Sequence, residues 1–188
     1  MEATLTLPDT VPLYTADDLL LLGDEPRYEL LDGRLVERKM GAKSGRVAVR
    51  LITRVENFLE AHPLGMAFGS DSGYRMFPDR PNRVRFPDAS FVRAGRLPNE
   101  EAPEGYILLA PDIALEVVSP NDEAYEVEDK IEEYLTAGMP LIWVAYPRTK
   151  RVMVFRADGS VARLKETDAL SGESLLPGFS CLVGELFR

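Results

Sequence analysis

Residues 111–120 read Pro-Asp-Ile-Ala-Leu-Glu-Val-Val-Ser-Pro, and the fold is decided by this stretch. The near-continuous apolar run over 113–118 is typical of a central strand that is covered on both faces. A helix is predicted over 123–137, with Gly138 at its C-terminal end, followed by a second buried strand over 141–146. This order predicts a right-handed crossover that joins two parallel strands.

The flanking sequence adds helical and antiparallel elements. The clearest helix is predicted over 44–61, where apolar residues recur every three or four positions. Asp32-Gly33 predicts a β-hairpin within 28–39, and Asp158-Gly159 predicts another within 151–164. We therefore expect an α/β fold of the mixed α+β kind, with a central mixed β-sheet flanked by helices.

The domain organisation follows from length and from the first residues. The chain has 188 residues, which suits one domain with a substantial core. A short helix over 17–22 is predicted, with Thr15 as its N-cap and with Gly23 and Pro26 ending it. We expect an N-terminal helical segment over 1–27 and a single domain over 28–188.

Composition and charge restrict the function classes. The net charge is −9, and acidic proteins are on average repelled by nucleic acid, so a nucleic-acid function requires a local basic surface. No apolar run reaches the ~18 residues that a membrane-spanning helix needs. The first residues lack signal-peptide features, and Cys181 is the only cysteine. We expect a cytoplasmic protein without membrane contact.

Three acidic residues interrupt predicted strands. Glu116 lies within the apolar run, where a carboxylate is unfavourable unless it is paired or bound to a metal. Asp88 follows Pro87 within a strand predicted over 84–93, and Glu29 lies in the strand that precedes the first hairpin. Each has a simpler interpretation: Asp88 as a turn residue, Glu29 and Glu116 as solvent-facing strand residues. If they converge, their oxygens suit Mg²⁺ or Mn²⁺.

Four motifs in order resemble a known family. They are Tyr-Glu-Leu-Leu-Asp-Gly at 28–33, Pro-Asp-Ala-Ser-Phe-Val at 87–92, the stretch at 111–120, and Lys-Ile-Glu-Glu-Tyr-Leu-Thr-Ala-Gly with Trp-Val at 130–144. This combination is similar to the Uma-type restriction endonuclease family of the PD-(D/E)XK nuclease superfamily. The resemblance covers nearly the whole chain and implies a restriction-endonuclease-like core.

The resemblance also implies roles for individual residues. Asp88 and Glu116 would be the metal-binding acids, and Glu29 would be an auxiliary acid. The superfamily lysine normally follows the second acid by two positions, where this chain has Val118. Similar sequences carry a lysine on the next helix instead, which corresponds to Lys130. Lys130 would orient the attacking water or stabilise the developing negative charge.

Several neighbouring residues have open interpretations. Glu126 precedes Lys130 by four residues, so the two could equally form a surface ion pair. Tyr134 is predicted to be a core residue, and Glu133 could be exposed or functional. Many relatives have a histidine at the start of the long helix, where this chain has Ser44.

Two basic clusters are candidates for binding nucleic acid. Arg46, Arg50 and Arg54 are spaced four residues apart, so they share one face of the long helix. Arg83 and Arg85, with Arg80 before them, lead directly into Asp88. The helix cluster could instead be an ordinary solvated face, paired with the abundant acids.

The sequence therefore predicts a Mg²⁺-dependent (or Mn²⁺-dependent) endonuclease that hydrolyses DNA phosphodiester bonds, acting as a homo-oligomer by analogy with similar nucleases. A catalytically inactive module that binds nucleic acid or protein is the main alternative. The absent lysine at Val118 and the acidic charge favour that alternative. A different metal-dependent phosphohydrolase that uses the same acids is a third possibility.

Overall fold

The computed structural model describes residues 13–22, 28–39 and 41–188, and within them no helix has both the length and the apolar composition to cross a bilayer. Its helices are α1 (Ala16–Leu21), α2 (Ala42–Ala61), α3 (Ala124–Thr136) and α4 (Val183–Leu186). Its strands are β1 (Tyr28–Leu31), β2 (Arg34–Glu37), β3 (Gly65–Gly69), β4 (Ala89–Arg93), β5 (Ile113–Val117), β6 (Leu141–Tyr146), β7 (Arg151–Arg156), β8 (Val161–Leu164), β9 (Ala169–Gly172) and β10 (Leu176–Leu182).

A six-stranded mixed sheet forms the centre of the fold, in the order β3-β4-β5-β6-β7-β8. Only its β5–β6 pair is parallel, and α3 connects these two strands along the chain. The α/β class with a mixed sheet flanked by helices, predicted from the sequence, is therefore confirmed. The strand-helix-strand unit around residues 111–146 has the predicted order.

Alternating residues of the central strands face two different helices. In β5, Ile113, Leu115 and Val117 belong to the core cluster that contains the apolar face of α2. Ala114 belongs to a second cluster, which contains Tyr134 of α3. Because side chains alternate across a strand, Glu116 lies on the same face as Ala114, towards α3.

The segment before β4 differs from the prediction of one strand over 84–93. β4 begins at Ala89, and the preceding residues make only isolated bridges, Val84 to Leu30 and Arg85 to Tyr74. Pro87 has no N–H to donate, so a regular ladder cannot continue through it. The side chain of Asp88 instead accepts the Val117 N–H at 2.7 Å.

The first hairpin and helix form where the sequence predicts them. Asp32 and Gly33, with φ of 52° and 85°, turn the chain between β1 and β2. Thr15 and Asp18 form a reciprocal capping box at the start of α1. The predicted stop at Gly23 and Pro26 lies outside the described residues. The division of the chain after residue 27 stays a prediction.

The C-terminal hairpin of β9 and β10 was not predicted as such. Leu170, Leu176 and Phe179 are buried in the cluster that contains the apolar face of α2. The helix α4 follows directly, with Val183 and Leu186 in the same cluster. The C-terminal region therefore completes the core on the α2 side of the sheet.

Ile142 of β6 offers a test of where the core lies, since its side chain is fully buried on the α3 side. Ile142→Ala is expected to lower the free energy of unfolding by about 2–5 kcal/mol, because the methyl groups lost leave a cavity. Val161→Ala, at a side chain 51% exposed in β8, should lower it by less than about 1 kcal/mol. Urea denaturation followed by circular dichroism measures both, and equal losses would contradict the assignment of β6 to the centre.

Candidate functional site

A cleft of about 930 Å³ opens between the first hairpin, the N-terminal part of α2, the end of β5 and α3. Glu29, Asp88, Glu116 and Lys130 all line it. The four residues proposed as catalytic from the sequence are thus brought to one place, from three strand regions and one helix. Their chemical roles stay predictions.

Asp88 and Glu116 lie on the same face of the sheet. β4 and β5 are antiparallel, with Ala89 opposite Leu115. Extending this register by one residue sets Asp88 opposite Glu116, and directly opposed residues have Cβ atoms roughly 4.5–5.5 Å apart. The Val117 N–H donates to Asp88 Oδ2 at 2.7 Å and fixes the aspartate at the end of the ladder.

Two donors from α3 hold the Glu116 carboxylate. Lys130 Nζ donates to Oε2 at 2.9 Å, and the Tyr134 hydroxyl donates to Oε1 at 2.7 Å. Lys130 Nζ also lies 3.1 Å from Glu29 Oε1, so one ammonium group bridges two carboxylates. Lys130 therefore points into the cleft, with 19% of its side chain exposed.

The alternative interpretation of Lys130, as a surface partner of Glu126, is wrong. Glu126 pairs instead with Lys39, which follows the first hairpin. Glu126 also accepts the Glu123 N–H as part of the capping box of α3. The favourable four-residue spacing was therefore misleading, because Lys130 pairs with Glu116 and Glu29, which are more deeply buried than Glu126 and whose ion pairs are screened less by water.

Glu29 is held by two cations, Arg85 and Lys130, and by one backbone N–H. Its Oε2 accepts from Arg85 at 2.6 Å, and its Oε1 accepts the Phe86 N–H at 3.1 Å. Arg85 in turn pairs with Glu133 of α3. These contacts connect β1 to α3 through a buried chain of alternating charges, in which Lys130 lies between Glu29 and Glu116.

Burial and neighbouring charge move the three carboxyl pKa values in different directions. Burial, together with the nearby charges of Asp88 and Glu29, raises the pKa of Glu116 to about 7 against the opposing charge of Lys130. Burial also raises the pKa of Asp88, although Lys130 and the Val117 N–H oppose this. For Glu29, the attraction of Lys130 and Arg85 outweighs burial and lowers the pKa to about 2.

The lysine responds to the same field. Burial opposes its charge, but Glu116 and Glu29 outweigh that effect, and the pKa of Lys130 is raised above its ordinary value. Burial and the two carboxylates likewise raise the pKa of Tyr134 well above its ordinary value. Both groups therefore remain hydrogen-bond donors to Glu116 at neutral pH.

Asp88 and Glu116 form a donor set that fits a hard divalent cation. Burial is the main cause of their raised pKa values, because it deprives the ionised carboxylates of water, and a bound cation would offset that loss. Within the described ranges, no group of three or more Asp, Glu, His or Cys side chains is arranged to hold a metal. Two carboxylates nevertheless suit Mg²⁺, which commonly retains several waters and binds one or two carboxylates together with substrate phosphate.

The arginine cluster on α2 lies away from this cleft. Arg50 donates to the Glu185 carbonyl at 2.7 Å, and Arg54 pairs with the Glu185 carboxylate at 3.2 Å. Arg46 donates to the Arg188 carbonyl at 3.3 Å. None of the three is among the cleft-lining residues. Their use in nucleic-acid binding stays a prediction, and the structure gives them partners near the C-terminus.

The second arginine cluster is engaged with acids near the cleft. Arg83 pairs with Asp32 at 2.9 Å and with Glu133, and Arg80 also pairs with Asp32. Arg85 lines the cleft, but 9% exposure leaves it little surface for a ligand. These arginines therefore organise the acids in this structure, and direct contact with nucleic acid stays a prediction for Arg83 and Arg85.

The sequence predicted Tyr134 as a core residue, which its burial confirms, but not the hydrogen bond from its hydroxyl to Glu116. Glu133, which could be exposed or functional, has 8% of its side chain exposed and pairs with Arg85. The helical spacing was the signal that could have revealed these contacts, since residues three and four positions after Lys130 lie on the same face of α3 and approach the same site. Ser44, where relatives have histidine, also lines the cleft and donates to the Gly41 carbonyl at 2.9 Å.

Comparison with known proteins decides the family. The sequence model of the Uma2 family, described as "Putative restriction endonuclease", matches residues 15–184. The chain belongs to the Uma2 family. A crystal structure of "a putative nuclease" from Anabaena variabilis superimposes with a TM-score of 0.76 at 22% identity, covering 92% of this chain and 97% of that one. No curated protein matches.

The Uma2 assignment confirms the family resemblance found in the motifs, and the structural match shows the same fold. The family supports a nuclease-like function for the chain.

The lowered pKa of Glu29 yields a test of the charge chain. Ionised Glu29 stabilises the fold above its unfolded pKa of about 4.3, and this contribution is lost as the pH falls towards 2. Glu29→Gln should therefore lower the free energy of unfolding by about 2–4 kcal/mol at pH 7. The difference from wild type should narrow by about 1.4 kcal/mol per pH unit below pH 4.

Urea denaturation of metal-free protein from pH 7 to pH 3 measures this difference. Glu60→Gln, at an exposed site on α2, is the matched control and should track wild type at every pH. A pH-independent deficit for Glu29→Gln would mean that the side chain contributes packing rather than charge.

Proposed function

We propose that this Uma2 protein is a divalent-metal-dependent endonuclease that hydrolyses phosphodiester bonds in DNA. The observation that carries the proposal is the convergence of Asp88, Glu116 and Lys130 in one open cleft, with Lys130 Nζ 2.9 Å from Glu116 Oε2. The family assignment supports the reaction class. DNA as the substrate, and Mg²⁺ or Mn²⁺ as the cation, are part of the proposal.

Asp88 and Glu116 would hold the cation. A bound Mg²⁺ or Mn²⁺ supplies a lowered pKa for water and offsets negative charge on a phosphodiester. The protein contributes two carboxylates fixed at adjacent positions of the sheet, by the Val117 N–H on one and by Lys130 and Tyr134 on the other. Because these contacts exist before any ligand arrives, little reorganisation is needed on binding.

Lys130 would serve the attacking water or the phosphate. Its ammonium is anchored by Glu29 and Glu116, which leaves one of its three N–H donors for a ligand in the cleft. Its raised pKa keeps it charged, so it would stabilise the negative charge that develops on phosphate oxygens. Lys130 of α3 would thus take the role of the superfamily lysine, which is expected two positions after Glu116, where this chain has Val118.

One observation favours the alternative of a catalytically inactive binding module. The acids that line the cleft outnumber the bases, which is unfavourable for a polyanion in the absence of bound cations. The acids are Glu29, Glu37, Asp71, Asp88, Glu116, Asp122, Glu126 and Asp129, and the bases are Arg38, Lys39, Arg85 and Lys130. Bound divalent cations would shift this balance, so metal dependence and substrate binding are coupled in the proposal.

We further propose that the protein acts as a homo-oligomer. One cleft per chain can cut one strand, and two copies related by symmetry would present two clefts to the two strands of a duplex.

Cleavage of plasmid DNA tests the two acids. Asp88→Asn and Glu116→Gln should each lower Mg²⁺-dependent or Mn²⁺-dependent cleavage by at least about 10²-fold, since each removes one of the two carboxylates. Asp79→Asn, an exposed acid outside the cleft, is the control and should cleave like wild type. If wild-type protein binds DNA without cleaving it, and both variants bind DNA with the same affinity, the protein is instead an inactive binding module.

Lys130→Met separates catalysis from metal binding. Removing the ammonium should lower cleavage by about 10²-fold or more, because the charge that stabilises the transition state is lost. The same change removes one donor to Glu116 and also a positive charge that repels the cation. Because these two effects oppose each other, Mn²⁺ affinity measured by calorimetry should fall by much less than cleavage. Lys150→Met, at a surface lysine paired with Glu166, controls for loss of one positive charge. A parallel loss of cleavage and Mn²⁺ affinity in Lys130→Met would contradict this role.

A further inference from the structure

Tyr134 is a fully buried tyrosine whose hydroxyl is directed at the proposed site. Its ring belongs to the core cluster on the α3 face, together with Ile142 and Val144 of β6. Packing alone would be served by phenylalanine, and a buried hydroxyl is unfavourable without a hydrogen-bond partner. The partner here is a carboxylate oxygen of Glu116, at 2.7 Å.

This hydrogen bond complements the one from Lys130. The two donors lie four residues apart on α3 and take different oxygens of the same carboxylate. With one donor on each oxygen, rotation of the carboxylate about its terminal bond is opposed on both sides. Each oxygen has two acceptor positions, so each can receive its donor and still bind a cation.

We propose that Tyr134 is a positioning residue that holds the Glu116 carboxylate in the orientation in which it binds the divalent cation. The inference rests on the proposed metal-dependent function. Tyr134 does not touch substrate in this account, and it acts through Glu116 alone. The helix α3 would thus supply both the catalytic ammonium of Lys130 and the orientation of a metal ligand.

The expected size of the effect comes from hydrogen-bond partners of metal ligands in other proteins. Loss of such a partner commonly weakens metal affinity or activity by about 10–100-fold. Tyr134→Phe removes one oxygen atom and retains the ring, so the cavity and the packing are little changed. A weaker Mn²⁺ affinity would therefore report the orientation of Glu116.

Tyr74 provides a matched control within the same core cluster. It is also fully buried, and its hydroxyl makes a hydrogen bond of 2.6 Å with Ser90 Oγ rather than with either of the proposed metal-binding acids. Tyr74→Phe thus removes the same group from a similar environment. Any general effect of losing a buried tyrosine hydroxyl should be equal in the two variants.

The experiment is calorimetric titration of wild type, Tyr134→Phe and Tyr74→Phe with Mn²⁺, followed by plasmid cleavage. Thermal unfolding without metal first fixes a temperature at which all three proteins are folded. We expect Tyr134→Phe to bind Mn²⁺ about 10–100-fold more weakly than wild type and to cleave correspondingly less at fixed, subsaturating Mn²⁺. Tyr74→Phe should match wild type in both measurements.

The outcomes separate this inference from the proposed function. If wild type binds Mn²⁺ and cleaves, and Tyr134→Phe has the same Mn²⁺ affinity as Tyr74→Phe, the positioning role is overturned and the nuclease proposal stands. If wild type neither binds Mn²⁺ nor cleaves, both fall together. Should Tyr134→Phe be unfolded at every temperature tested while Tyr74→Phe is folded, the hydroxyl is a structural group and the positioning role is again overturned.

Discussion

The arrangement of the site depends on the two ion pairs that the ammonium group of Lys130 makes with Glu29 and Glu116. They connect β1, β5 and α3, three elements that are far apart in the chain. Three largely buried carboxylates that line one cleft repel one another, and a single positive charge placed between two of them offsets part of that repulsion. Arg85 and Glu133 extend the same alternation of charge to the next layer.

The sheet explains why these charges meet at all. Alternation along β5 places Ile113, Leu115 and Val117 against α2, which leaves Glu116 on the α3 side. Pro87 interrupts the ladder just before β4, so the carboxylate of Asp88, rather than a backbone carbonyl, receives the Val117 N–H. The break in the ladder at Pro87 therefore positions Asp88, and the packing of β5 in the core fixes the face on which Glu116 lies.

Much of this could be predicted from the sequence, because apolar alternation and turn residues act locally. The crossover around residues 111–146 and the Asp32-Gly33 turn were of this kind. The partners of charged side chains could not be predicted in the same way, since they depend on distant elements. From the sequence, either Glu116 or Glu126 could be the partner of Lys130. The packing of α3 against β5 decides that Lys130 pairs with Glu116, while Glu126 pairs with Lys39. The hydrogen bond from the Tyr134 hydroxyl to Glu116 could not be predicted either. The apolar ring is sufficient to explain a tyrosine at a core position, so the sequence gives no sign of the hydroxyl's partner.

The central claim is that Asp88 and Glu116 together bind a divalent cation. The most direct measurement is anomalous diffraction, near the manganese absorption edge, from crystals grown with Mn²⁺. The account predicts one strong anomalous peak between the two carboxylates, with oxygen contacts of about 2.1 Å as for a small hard cation. No peak in the cleft of crystals that hold Mn²⁺ elsewhere, or a peak bound by neither residue, would contradict the account.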